Sequence, residues 1–154
     1  MHRVLVLGAG KIGSLIAGLL EESGDYAVTL ADARPGAAAE VATAHQKVGG
    51  GRGIQALDLD ATRLADLEGA LRHHQIDAVV SSLPYYCNEL VARAAGTTGA
   101  HYFDLTEDVR SATAVFDIAA DAPTAFAPQC GLAPGFISIA AAELIRHFQS
   151  IRTV

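Results

Sequence analysis

The 154-residue chain is 51% hydrophobic and only 18% charged, with a formal net charge of −6, which supplies the apolar material for one well-filled core and argues against disorder. The negative balance, with no stripe of lysine or arginine to override it, repels a phosphate backbone and sets nucleic acid aside as a partner. The two cysteines, Cys87 and Cys130, stand outside any C-x-x-C pair; they suit a reducing cytoplasm better than a disulfide framework and read as small core residues.

The chain opens on Met1-His2-Arg3 and the apolar run VLVLGAG. Lys11 interrupts that run and no small-residue cleavage site follows cleanly, so a buried strand over Arg3 to Leu7 is expected rather than a secretion signal. No stretch approaches about 18 uninterrupted apolar residues, so a soluble protein without a membrane partner is expected. A helix over Ile12 to Ser23 follows, closed by Gly24 as its C′ residue. Between this strand and this helix, GAGKIG sets Gly8, Gly10 and Gly13 in G-x-G-x-x-G spacing, with Lys11 and Ile12 inside the motif. The glycines serve distinct mechanical purposes, Gly8 for a tight turn, Gly10 for close approach of a pyrophosphate, and Gly13 for packing of the helix on the sheet. Lys11 either leans toward the pyrophosphate or is a solvated residue of a first helical turn.

A second strand, Ala27 to Ala31, ends in Asp32, which lies 19 residues beyond Gly13. A carboxylate there accepts hydrogen bonds from the adenosine ribose hydroxyls, and the combination points to dinucleotide binding. Asp32 repels a 2′-phosphate, whereas Arg34 either pairs with one or stacks on adenine; NAD is expected ahead of NADP. A helix over Gly36 to Lys47 and a third strand, Gly53 to Leu57, lead to Asp58, which either reaches the adenine edge or caps a helix. Leu64, Leu67 and Leu71 then mark one face of a helix over Thr62 to His73.

The fourth strand, Ala78 to Ser82, runs into SSLPYY. Ser81, Ser82, Leu83 and Pro84 emerge where the strand order reverses and are expected to line the nicotinamide half of the groove; loop-capping hydroxyls are the alternative for the serines. Tyr85 and Tyr86 either wall that pocket or cover the sheet edge. Next come a helix over Tyr86 to Ala95, a strand over His101 to Leu105, and a helix over Glu107 to Ala120 with Thr106 as its expected cap. Asp104 and Glu107 share the rim, as site residues or as helix-capping acids. A sixth strand, Thr124 to Pro128, precedes a last helix opening at Pro134. Neither H-E-x-x-H nor a Cys/His cluster occurs, so no metal is expected, and no residue is assigned a catalytic role. Six strands with five crossover helices predict a Rossmann-type, doubly wound parallel α/β sheet with helices on both faces.

VLVLGAGKIG, VVSSLPYYCNELVARAA, HYFDLTEDV and CGLAPGF together resemble the N-terminal nucleotide-binding portion of the saccharopine dehydrogenase family, which includes lysine 6-dehydrogenase-like and carboxynorspermidine-forming enzymes. The resemblance covers nearly the whole chain; its glycine motif is generic to the fold, and the Ser-Leu-Pro turn joined to Gly-Leu-Ala-Pro-Gly is more specific. It implies hydride transfer between a nicotinamide cofactor and an amine/imine carbon of an amino-acid substrate, in lysine metabolism among other settings. It also implies that Gly131 to Gly135 lie beside the nicotinamide and lead into a second domain carrying substrate groups and much of a dimer interface. On this reading residues 1–154 form a single dinucleotide-binding domain without the substrate domain, inactive alone, with a homodimer left open. A regulatory dinucleotide sensor of the potassium-transport type is the alternative, although such a domain needs neither SSLP nor the Pro134-Gly135 kink.

Overall fold

A computed structural model of the protein describes residues 1–46 and 52–153. Strands β1 (His2–Leu7), β2 (Tyr26–Asp32), β3 (Gln55–Asp58), β4 (Ala78–Ser81), β5 (His101–Asp104) and β6 (Phe126–Ala127) alternate with helices α1 (Lys11–Glu22), α2 (Ala37–Gln46), α3 (Leu64–His73), α4 (Asn88–Thr98), α5 (Val109–Ala119) and α6 (Phe136–Ile145). All strand pairs are parallel, in the order β3-β2-β1-β4-β5-β6. This is the expected doubly wound architecture, and its order reverses between β1 and β4, where such sheets hold ligands.

The central strand explains why both faces must be covered. On β1, Val4 and Val6 join Val28, Leu30, Ala17, Ala38 and Ala42 in one buried cluster. The alternate residues Leu5 and Leu7 join Val79, Tyr102, Leu67, Leu71 and Val91 in the other. A strand whose successive side chains enter two different cores reads as a continuous apolar run. At roughly 25 cal/mol per Å² of apolar area, these two layers supply most of the drive to fold.

Several boundaries move. The sixth strand shrinks to two residues. Residues Tyr85–Cys87 form a 3₁₀ turn before α4, which runs on to Thr98 rather than stopping at Ala95. Lys47, expected to end the second helix, lies outside the described residues. The expected Thr106 cap is corrected: Asp108 occupies the N-cap of α5, its carboxylate accepting the Ser111 amide at 2.8 Å. Thr106 acts one step earlier, its hydroxyl oxygen accepting the Asp108 amide at 3.1 Å. Gly24 follows α1 as expected, its amide bonding the Glu21 carbonyl. No helix among the described residues is long and apolar enough to cross a membrane.

Candidate dinucleotide site

The carboxyl ends of β1, β2 and β4 carry the glycine turn, Asp32 and the serine pair to one edge of the sheet. Gly8 adopts φ +99, a left-handed value that a side chain disfavours, and a Cβ there would press on the Ser82 hydroxyl at 2.9 Å. Gly13 is fixed by space, because a Cβ would collide with the Gly8 carbonyl. Gly10 differs: a Cβ there would meet nothing within 4 Å. The surface above Gly10 is therefore open, at the N-cap of α1. The helix's first amide to find a carbonyl one turn back is Ser14, which bonds Gly10 at 2.9 Å. The amides of Lys11, Ile12 and Gly13 precede it and point out of the helix end, a place suited to an anion. The exposed side chains of Lys11 and Ile12 flank that opening.

Asp32 is bound to this turn directly. Its Oδ2 accepts the Ala9 amide at 2.8 Å, while its Oδ1 accepts the Arg34 amide at 2.9 Å and the Arg34 Nε at 3.2 Å. Burial pushes the Asp32 carboxyl upward, but the hydrogen bonds from the Arg34 and Ala9 amides and the Arg34 guanidinium outweigh it, leaving the pKa below the ordinary value. The carboxylate is thus ionised at neutral pH. A carboxylate oxygen has lone-pair capacity beyond one amide bond, so Asp32 still has acceptor sites for a hydroxyl. The Arg34 side chain is 73% exposed and lies over the same rim.

Beyond β4, Ser82 locks two turns together. Its hydroxyl donates to the Leu7 carbonyl at 2.8 Å, and its amide to the same oxygen at 3.0 Å. Leu83 lines a cleft with Gly8, Asp32, Leu59 and Asp60, and Pro84 leads into the exposed Tyr85 and Tyr86. Ser81 departs from its neighbour: it is 1% exposed and donates to Asn88 Oδ1 at 2.8 Å, so its hydroxyl braces the start of α4 rather than facing the groove.

Asp58 is likewise engaged, but not as a helix cap. It sits in register with Asp32, and its Oδ1 accepts the Gly36 amide at 2.9 Å, closing the loop after β2. The acid that lines the cleft beyond β3 is Asp60, whose Oδ1 is held by the Thr62 amide and hydroxyl at 3.0 and 2.6 Å. The Asp-x-Thr spacing of an Asx turn was the signal for it.

The sequence model of the family described as "Saccharopine dehydrogenase NADP binding domain" matches residues 4–130. Among solved structures, apo saccharopine dehydrogenase (L-Glu forming) from Saccharomyces cerevisiae aligns with a TM-score of 0.80 at 23% identity, over 96% of this chain and 31% of that one. A UDP-glucose-4-epimerase from Stenotrophomonas maltophila with bound NAD aligns with a TM-score of 0.66 at 16% identity, over 83% of this chain and 52% of that one. At these identities the structural likeness establishes the fold, and this chain spans about a third of the length of the yeast enzyme. The family match covers most of the chain and does not favour a potassium-transport sensor: the chain belongs to the saccharopine dehydrogenase NADP-binding-domain family.

Proposed function

We propose that this chain is the nicotinamide-dinucleotide-binding part of an oxidoreductase that acts on a CH–NH centre of an amino-acid substrate. The observation that carries the reading is the 2.8 Å bond from the Ala9 amide to Asp32, which joins an anion-receptive helix end to a ribose-receptive carboxylate. In this reading the Lys11, Ile12 and Gly13 amides bind the pyrophosphate over the bare face of Gly10, and Asp32 accepts from the adenosine ribose. Asp60 and Leu59 border the adenine end of the cleft. Ser82, Leu83 and Pro84 form the wall toward the nicotinamide, and the backbone of Ser81 holds that wall in register. When bound, the nicotinamide supplies hydride transfer; this chain's residues orient it and exclude water from its far face.

An ionised Asp32 disfavours an added 2′-phosphate, so NADH is the preferred form, with Arg34 the residue able to offset the preference. The amine-centre chemistry rests on the family. The substrate-binding and proton-transfer groups are proposed to lie outside these 154 residues, so the chain binds cofactor without turning over lysine or saccharopine. Fluorescence titration of NADH and NADPH, with and without amino-acid substrate, tests all three parts. Tighter NADPH binding that disappears on Arg34→Ala would transfer the selectivity to Arg34, and substrate-dependent NADH production would show a complete enzyme.

A further inference from the structure

We infer that Asp104 is a positioning residue for the nicotinamide half of the site, acting through the loop that joins β6 to α6; this rests on the dinucleotide reading above. Asp104 is 0% exposed at the carboxyl end of β5. A buried carboxylate is costly unless its lone pairs are satisfied, and here three donors converge on it. The Tyr102 hydroxyl donates to Oδ2 at 2.7 Å, and the Thr106 and Gln129 amides donate to Oδ1 at 2.9 and 3.1 Å. The Asp104 carbonyl also accepts the Cys130 amide at 2.8 Å. One residue thereby fastens the loop at two successive amides.

The segment it fastens is intolerant of change. Gln129 takes a left-handed φ of 64, and Gly131 bridges to Gly135, whose φ is +126. A Cβ on Gly135 would meet the Gln129 carbonyl and the Gly131 amide, each at 2.9 Å, and the Gly131 carbonyl closer still. A Cβ on Gly131 would lie 3.2 Å from the Leu105 carbonyl, so the loop presses on the end of β5. A dinucleotide whose ribose meets Asp32 on β2 and whose pyrophosphate crosses Gly10 after β1 must continue over β4 toward β5. The loop held by Asp104 bounds that direction. A simple structural acid would lower stability and every affinity together; a positioning acid affects the ligand's far half selectively.

Calorimetry with NADH and with ADP-ribose, which lacks the nicotinamide, separates these roles. Asp104→Ala is expected to weaken NADH about tenfold or more while leaving ADP-ribose within about twofold. Asp104→Asn should restore most of the NADH affinity, because its amide oxygen accepts both backbone amides and its NH2 donates to the Tyr102 oxygen. If Asp104→Ala does not fold, Gly135→Ala reads the same split, since it displaces the loop without touching the buried carboxylate. Equal loss of both ligands, or no loss of NADH, in the folded variant overturns the role of Asp104. Failure of the unaltered, folded chain to bind either ligand overturns the dinucleotide reading instead.

Discussion

The Oδ2 atom of Asp32 accepts the amide of Ala9 at 2.8 Å, so the acid that ends β2 also fixes the shape of the turn that ends β1. One residue thus serves fold and ligand together. Replacing Asp32 with Ala strands the Ala9 and Arg34 amides, and a lost bond to a charged acceptor costs about 1.5–3 kcal/mol. Asp32→Ala is expected to lower the denaturant midpoint by that order and to weaken NADH more than tenfold. Asp32→Asn, keeping one acceptor oxygen, should fall between. Full stability in Asp32→Ala would show that the turn holds itself.

The glycines of the turn separate by cause. Gly13→Ala drives a methyl into the Gly8 carbonyl, and such overpacking costs about 1–3 kcal/mol. Gly10→Val faces open space and should change stability by about 1 kcal/mol or less, the cost of a poorer N-cap. Thermal melts of the two variants measure the contrast; equal destabilisation would mean the turn is not seated against α1 in this way.

Glu21 sets an acid limit on stability. Its Oε2 pairs with His45 Nε2 at 2.9 Å and its Oε1 accepts the Gly53 amide at 2.8 Å, joining α1, α2 and the approach to β3. These bonds, the one from His45 foremost, hold the Glu21 pKa below its ordinary 4.5. In the window between the folded value and 4.5 the unfolded chain binds the extra proton, so stability rises with pH there. The contribution is complete above about 4.5 and is lost as pH falls through the folded value. Glu21→Gln is expected to flatten that part of a urea-midpoint profile against pH; an unchanged slope would assign it to Asp32, Asp60 and Asp108, which are also depressed.

Much of this was legible in the sequence, and the reasons differ by element. β1 and β4 announced themselves because both faces are covered, so their runs are mostly apolar. Gly8, Gly10 and Gly13 were legible from their spacing, because the left-handed φ at Gly8 and the Gly8 carbonyl pressed against Gly13 each call for glycine. What stayed hidden were side-chain directions. Asp32 and Asp58 end neighbouring strands in register, and nothing in their local sequence says that Asp58 turns to the Gly36 amide, leaving the cleft to Asp60. Ser81 and Ser82 are adjacent at the end of a strand, so alternation sends one into the protein and the other toward β1. The partners that distinguish Asp104 from a helix-capping acid, Tyr102 and Gln129, lie on the same strand and 25 residues away.

Helix α6 carries an apolar face with no buried residue; Phe136 is 62%, Ile139 71% and Leu144 63% exposed. Charged replacements there should leave stability within about 0.5 kcal/mol, as surface substitutions do. The same replacements should reduce self-association, because uncovered apolar patches promote it. Sedimentation velocity of Ile139→Glu with Leu144→Glu against the unaltered chain, together with a melt of each, checks both; a large loss of stability would show that α6 is packed in solution.

The central claim, that the open face of Gly10 at the start of α1 receives a dinucleotide pyrophosphate, is tested most directly by calorimetric titration of NADH into the unaltered chain and into Gly10→Val. The expected result is one-site binding to the unaltered chain, at least tenfold weaker binding to a Gly10→Val protein that melts nearly as before, and weaker NADPH than NADH in the unaltered chain. Equal NADH affinity in the two folded proteins, or no binding to either, would contradict it.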